Sequence, residues 1–157
     1  MAGLWFEEFE VGQRFEHPIR RTITETDNVW FSAITHNPAA LHLDEEYCRA
    51  HTPYGRRVVN SMFTLALMVG ISVNDTTLGT TVGNLGMEGV RFPHPLFHGD
   101  TVRVETEVAE VRPSQSKPDR GVVTFIHRAY KQTGELVAEC RRMGLMLRRP
   151  PAAGQGG

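Results

Sequence analysis

The chain has 157 residues, 40% of them hydrophobic and 22% charged, which is the size and composition of one ordinary globular domain without a second core. Lys and Arg number 17 against 18 Asp and Glu, for a formal charge of −1, and no long run of one sign occurs, so nothing marks a nucleic-acid binder. The two cysteines, Cys48 and Cys140, are far apart, which excludes a disulfide framework or a zinc site of closely spaced pairs; both read as buried thiols.

In chain order, the first ten residues carry Glu7, Glu8 and Glu10 where a secretory signal would be basic and then apolar, so a cytoplasmic location is expected. An N-terminal strand is expected next. Thr24 to Ile34 offers several helix-capping side chains and then an apolar run, predicting a short helix. Asn37 and Pro38 oppose regular structure, so Thr35 to His42 reads as a loop. A second short helix follows over Leu43 to Ala50, capped by Asp44, with Glu45 and Glu46 in the first turn where the helix dipole favours acids.

The loop His51 to Arg57 leads into Val58 to Val73, apolar on almost every face, as expected of a helix covered on most sides by other structure. Asn60 or Ser61 would cap its start, and Asn74, Asp75 and Gly79 would end it. Its apolar stretch, Ser61 to Val73, is shorter than the roughly 20 residues of a membrane span, so a core helix is expected and no membrane contact.

Near Thr81 the hydrophobic period changes from helical to alternating. Val102, Val104, Thr106 and Val108 alternate with Arg103, Glu105 and Glu107, the pattern of a strand with one wet face. Further strands are predicted over Val82 to Phe92, Gly121 to Lys131 and Glu135 to Leu147, the last two joined by a turn at Gln132, Thr133 and Gly134. The fold class is therefore α+β: one domain over residues 1–147, its strands curling round the apolar helix, and a disordered Pro-, Ala- and Gly-rich tail over 148–157.

Two features carry chemistry. A histidine beside polar groups, here His42, can act as an acid or a base because the imidazole pKa of about 6.5 lies near operating pH. The start of a buried helix, here at Asn60, offers free N–H groups and a positive dipole end to developing negative charge, such as a thioester oxygen acquires when water attacks a conjugated enoyl group. Arg56 and Arg57 precede that helix, and a guanidinium binds a carboxylate or phosphate in a two-pronged fashion.

Leu41, His42, Leu43 and Asp44, preceded by Thr35 and Asn37, resemble the signature Ser/Thr-Gly-Asp-x-Asn-Pro-Leu-His-x-Asp of MaoC-like dehydratases and R-specific enoyl-CoA hydratases. Val59, Asn60, Ser61 and Met62 look like the family's Val-His-Gly-Met, and the segment Val90 to Asp100 is similar to its Arg-Phe-x-x-Pro-Val-x-x-Gly-Asp. The resemblance spans Phe6 to Leu147 and implies a hotdog fold, a long helix wrapped by a curved antiparallel sheet and paired into a homodimer or higher homo-oligomer. It places His42 on the catalytic histidine.

The family's aspartate falls on Asn37, its asparagine on Ala39 and its proline on Ala40. A neutral amide cannot take a proton from water, which leaves His42 as the only strong base in the motif. The combination of Thr35, Asn37 and Leu41 to Asp44 with Val59 to Ser61 is similar to the mesaconyl-CoA hydratase branch, implying a mesaconyl-CoA or itaconyl-CoA substrate. His42 then acts as base, Asn37 helps hold the water, and backbone near Ser61 and Asn60 binds the thioester oxygen. Arg56 or Arg57 reads a carboxylate or a coenzyme A phosphate. No cofactor beyond the coenzyme A of the substrate is expected. The alternatives are a hotdog thioesterase and a non-catalytic hotdog subunit. His17, His51, His94, His98 and His127 read as structural or solvated, Asp44 as a helix cap, and Gly99 with Asp100 as a turn.

Overall fold

The computed structural model describes residues 3–151, so most of the expected tail lies outside the described residues. Two short strands, β1 (Arg14–Glu16) and β2 (Arg21–Thr22), precede the helices α1 (Glu25–Ile34), α2 (Ala40–Leu43), α3 (Glu45–His51) and α4 (Ser61–Thr76). Four long strands follow, β3 (Thr81–Arg91), β4 (Thr101–Pro113), β5 (Arg120–Tyr130) and β6 (Leu136–Leu147). They form one antiparallel sheet in the order β1-β4-β5-β6-β3, with β2 also on β4.

The helix starts follow the predicted caps. Thr24 accepts from the Asp27 N–H while Asp27 accepts from the Thr24 N–H, a reciprocal cap for α1. The two-pronged contact of Arg21 with Asp27 holds that carboxyl far below the usual carboxylate range. Asp44 accepts from the Tyr47 N–H to cap α3, and Asn60 from the Met62 N–H to cap α4.

Alternation in the sheet delivers the core. Val102 and Val104 of β4, Ala129 of β5 and Val137, Ala138 and Cys140 of β6 meet Met68 and Ile71 of α4. Burying a side chain of that size stabilises by about 1.5–3 kcal/mol. Cys48 and Cys140 are buried free thiols, as expected.

Three expectations need correction. Helix α4 is not covered on most sides: Thr64, Met68, Ile71, Ser72 and Thr76 are buried, while Met62, Ala66, Gly70 and Asn74, four residues apart, stay exposed. A single curved sheet contacts a helix along one stripe, so the opposite apolar face is left open. His42 lies in the one-turn helix α2 rather than in a loop. Arg148 and Arg149, assigned to a disordered tail, are paired with Glu7 and Glu8 of the 3₁₀ turn Phe6–Glu8.

A polar seam separates the apolar cluster around Met68 from a second one built on Phe6, Phe9, Val108 and Phe125. Arg142 Nε donates to His127 Nε2 at 3.0 Å, which places the His127 proton on Nδ1, facing Thr106 Oγ1 at 2.8 Å. The Thr106 hydroxyl then donates to His17 Nε2 at 2.7 Å, and His17 Nδ1–H donates to Asp75 at 2.8 Å. Burial pushes the His127 pKa well down, helped by the Arg142 charge and by His17.

Folded His127 therefore binds a proton more weakly than the unfolded chain, so unfolding takes up a proton as pH falls below about 6.5, and stability falls with it. Urea unfolding between pH 7 and 5 should lose up to about 1.4 kcal/mol per pH unit from this one group. His127→Gln, which keeps an acceptor and a donor, should flatten the slope; an unchanged slope in that variant would remove His127 as its source.

Candidate active site

The segment carrying His42 is built by local hydrogen bonds. Helix α1 ends at Ile34, and His36 turns the chain with φ 54°, in the left-handed region that disfavours side chains. The resembled signature has glycine at that place, so the turn is retained at a strain of order 1 kcal/mol. Asn37 Oδ1 then accepts from the Ala39 N–H at 3.0 Å, a turn that starts α2. Cys48 Sγ, 3.4 Å from the Leu41 carbonyl, braces α2 from α3, and burial raises the pKa of its thiol.

His42 is half-buried, with Nδ1 2.7 Å from the Val58 carbonyl oxygen. A carbonyl can only accept, so Nδ1 carries the proton and neutral His42 presents the lone pair of Nε2, which has no protein partner among the described residues. Val58 is two residues before the cap of α4. The imidazole is therefore tied directly to the segment that enters the long helix.

At that helix start Asn60 is 3% exposed. Its Oδ1 accepts from the Met62 N–H at 3.1 Å and its Nδ2 donates to Ser32 Oγ at 3.3 Å. The Ser61 N–H, the first of α4, has no acceptor among the described residues, and the positive end of a 16-residue helix lies there. A cavity of about 190 Å³ opens beside it, lined by Tyr54, Val58, Val59, Ser61, Thr64 and His94 among others. A more open hollow of about 300 Å³ is lined by Ser32, His36, Asn37, Pro38 and Leu43. Asn60 links the two, because its side chain holds Ser32 and its neighbours Val59 and Ser61 line the cavity.

The predicted site residues thus divide. His42, Asn60 and Ser61 come together at one junction, whereas Asn37 faces the neighbouring hollow and no hydrogen bond joins it to His42 among the described residues. Arg57 is not free to meet a ligand: its guanidinium lies 2.8 Å from Glu25 and 2.8 Å from Glu45. It ties α1 to α3 beside the site. Arg56 lies over Phe97, its guanidinium carbon 3.8 Å from the ring centroid, with no carboxylate partner among the described residues. Its charge is available.

Two residues of the junction were missed by sequence reasoning. Asn28, fully buried in α1, reaches His42, Val58, Asn60 and His98. His98, read as structural or solvated, is joined to the junction through Asn28 at 3.0 Å. Neither stands out in sequence: an asparagine in a helix and a histidine in a loop carry no periodic or spacing signal. Asp100 does act as a turn residue, accepting from the Phe97 N–H at 2.8 Å.

The MaoC like domain family matches residues 7–130, covering the whole junction. The chain belongs to that family. Among relatives of this MaoC-like domain, a mesaconyl-CoA hydratase of Haloarcula hispanica is 33% identical over 99% of this chain and 43% of that protein. The chain thus spans less than half the length of the curated mesaconyl-CoA hydratases it matches. Among solved structures, a MaoC-like dehydratase from Rhodospirillum rubrum is 32% identical with a TM-score of 0.82, covering 95% of this chain and 100% of that one. A Mycobacterium tuberculosis protein with a double hotdog fold superposes with a TM-score of 0.86 at 24% identity over 97% of this chain and 46% of that one. The fold is the hotdog.

Arg57→Met removes the tie between Glu25 and Glu45. Thermal unfolding should show a loss of about 1 to 2 kcal/mol, or a few degrees in Tm, as expected for a partly buried charge that leaves two carboxylates behind. An unchanged Tm would free Arg57 for another role.

Proposed function

We propose that this MaoC-like domain catalyses the reversible addition of water across the α,β double bond of a short enoyl-CoA thioester. The observation that carries the reading is the fixed tautomer of His42, which leaves Nε2 as a base on a ring tied through the Val58 carbonyl to the segment that enters α4, where the first N–H has no acceptor among the described residues. Water attacks the β carbon, its proton passes to His42 Nε2, and the π electrons move onto the thioester oxygen. That oxygen is stabilised by the Ser61 N–H and the positive helix end. The carbonyl re-forms as the α carbon takes the proton back. Dehydration is the reverse.

Asn37 contributes no proton transfer. Its Oδ1 is committed to the Ala39 N–H, and its amide N–H groups, without an acceptor among the described residues, can orient the attacking water. Asn60 keeps the helix start in place.

For the acyl group we favour a short branched dicarboxylic enoyl of the mesaconyl or itaconyl type. The motif residues, the similarity to the mesaconyl-CoA hydratase of Haloarcula hispanica and a cavity of about 190 Å³ support it. Arg56 would meet the second carboxylate or a phosphate of coenzyme A. The chemistry requires no further cofactor.

The partner is a second copy of the chain. β3 ends the sheet with Val82, Leu85, Met87 and Val90 exposed, and α4 shows an open face at Met62, Ala66 and Gly70. Unpaired edges and apolar faces of this kind are what a second copy covers.

With crotonyl-, mesaconyl- and itaconyl-CoA as substrates, His42→Ala should lower kcat by about 10² to 10⁴, the reaction being recorded by loss of the conjugated enoyl absorbance and not by free thiol. Full activity in that variant, or release of free thiol, would overturn the assignment. Asn37→Asp restores a carboxylate and should raise kcat or broaden its pH range. Light scattering should give a dimer mass, shifted toward one copy by Leu85→Glu on the β3 edge; a monomeric wild-type protein would remove the second copy.

A further inference from the structure

The carboxamide of Asn28 touches each part of the junction. Its Oδ1 accepts from the Asn60 N–H at 2.8 Å, and that contact fixes which way the amide faces. Its nitrogen consequently lies 3.3 Å from the His42 carbonyl oxygen, 3.2 Å from the Val58 carbonyl oxygen and 3.0 Å from His98 Nε2. The Val58 oxygen is the same atom that takes the His42 Nδ1–H. One side chain thus spans the segment that carries the base and the cap of the helix that faces the oxygen.

The same geometry specifies His98. An amide nitrogen can only donate, so His98 Nε2 must accept, and the ring is neutral with its proton on Nδ1. Its surroundings act in the same direction: burial lowers its pKa and Arg57 and Arg56 add to this, while Glu25 and Glu45 oppose it. A protonated His98 would set a donor against a donor.

We propose that Asn28 is the positioning residue of this site, its one carboxamide setting the distance between the His42 imidazole and the free N–H at the start of α4, with neutral His98 as its outer anchor. The rate effect rests on the proposed hydratase reading; the geometric effect does not. A displacement of about 1 Å in a catalytic group can cost about 10²-fold in rate. Asn28→Asp is close to isosteric. It keeps the acceptor for the Asn60 N–H but turns an oxygen toward two carbonyls.

The test has two arms. In kinetics with crotonyl-CoA, Asn28→Asp and Asn28→Ala should lose about 10²-fold in kcat with KM nearly unchanged, because the loss is of orientation rather than of substrate contact. His98→Gln, which still offers an acceptor, should keep kcat within a few-fold, whereas His98→Ala should lower it. In the second arm, ¹⁵N NMR of labelled imidazoles in the wild-type chain at pH 7 should show His42 and His98 both as the Nδ1–H tautomer. In Asn28→Asp the single His42 tautomer should be lost.

Wild-type kcat in folded Asn28→Asp would overturn the proposal, as would His98 carrying its proton on Nε2. If Asn28→Ala fails to fold, the Asp and His98 variants still decide. If the wild-type chain hydrates no enoyl-CoA, the hydratase reading fails alone, and the imidazole spectra still judge the positioning.

Discussion

A helix that begins inside a protein leaves its first N–H groups without partners, and each needs an acceptor or a ligand. Around α4 that constraint assembles polar atoms in an otherwise apolar region. Asn60 satisfies the Met62 N–H from within the chain, and Asn28 satisfies the Asn60 N–H from a neighbouring helix. The Ser61 N–H has no acceptor among the described residues. Holding Asn60 in its capping conformation draws in α1 through Asn28 and Ser32, and Asn28 in turn holds the backbone of His42 and Val58. The imidazole reaches its place as a consequence of satisfying the helix start.

The sheet imposes the second constraint. Its inward side chains contact α4 along one stripe, which secures the helix but leaves the opposite stripe of Met62, Ala66 and Gly70 uncovered. β3 adds an unpaired edge with exposed apolar residues. The double hotdog structure that superposes on this domain is about twice its length. The second-copy proposal follows from that incomplete burial.

Charges near the site are mainly scaffolding. Arg57 is used up by Glu25 and Glu45, Arg21 by Asp27, and Lys131 by the Pro95 carbonyl with Asp100 and Glu135 nearby. Deeper in the core, Arg142 has no carboxylate partner among the described residues and is linked through His127, Thr106 and His17 to Asp75. Buried polar groups of this kind are costly unless connected, and here one direction of donation runs the length of the seam. Arg56, unlike its neighbour Arg57, has no carboxylate partner among the described residues, and an aromatic face supports its charge without neutralising it.

The sequence by itself determined the elements and the chemistry available to them. Alternation in the second half dictates long antiparallel strands, the caps at Thr24, Asp44 and Asn60 are local side-chain-to-backbone contacts, and the motif around His42 marks the imidazole proposed as the base. Each of these depends on neighbours a few residues away. Only the tertiary structure decided which face of α4 is covered, that Arg57 is a tie rather than a ligand, which nitrogen of His42 is free, and that Asn28 and His98 belong to the junction. These outcomes depend on contacts between residues 12 or more positions apart, where a buried asparagine and a solvated one look identical in sequence and differ only in what the fold places against them.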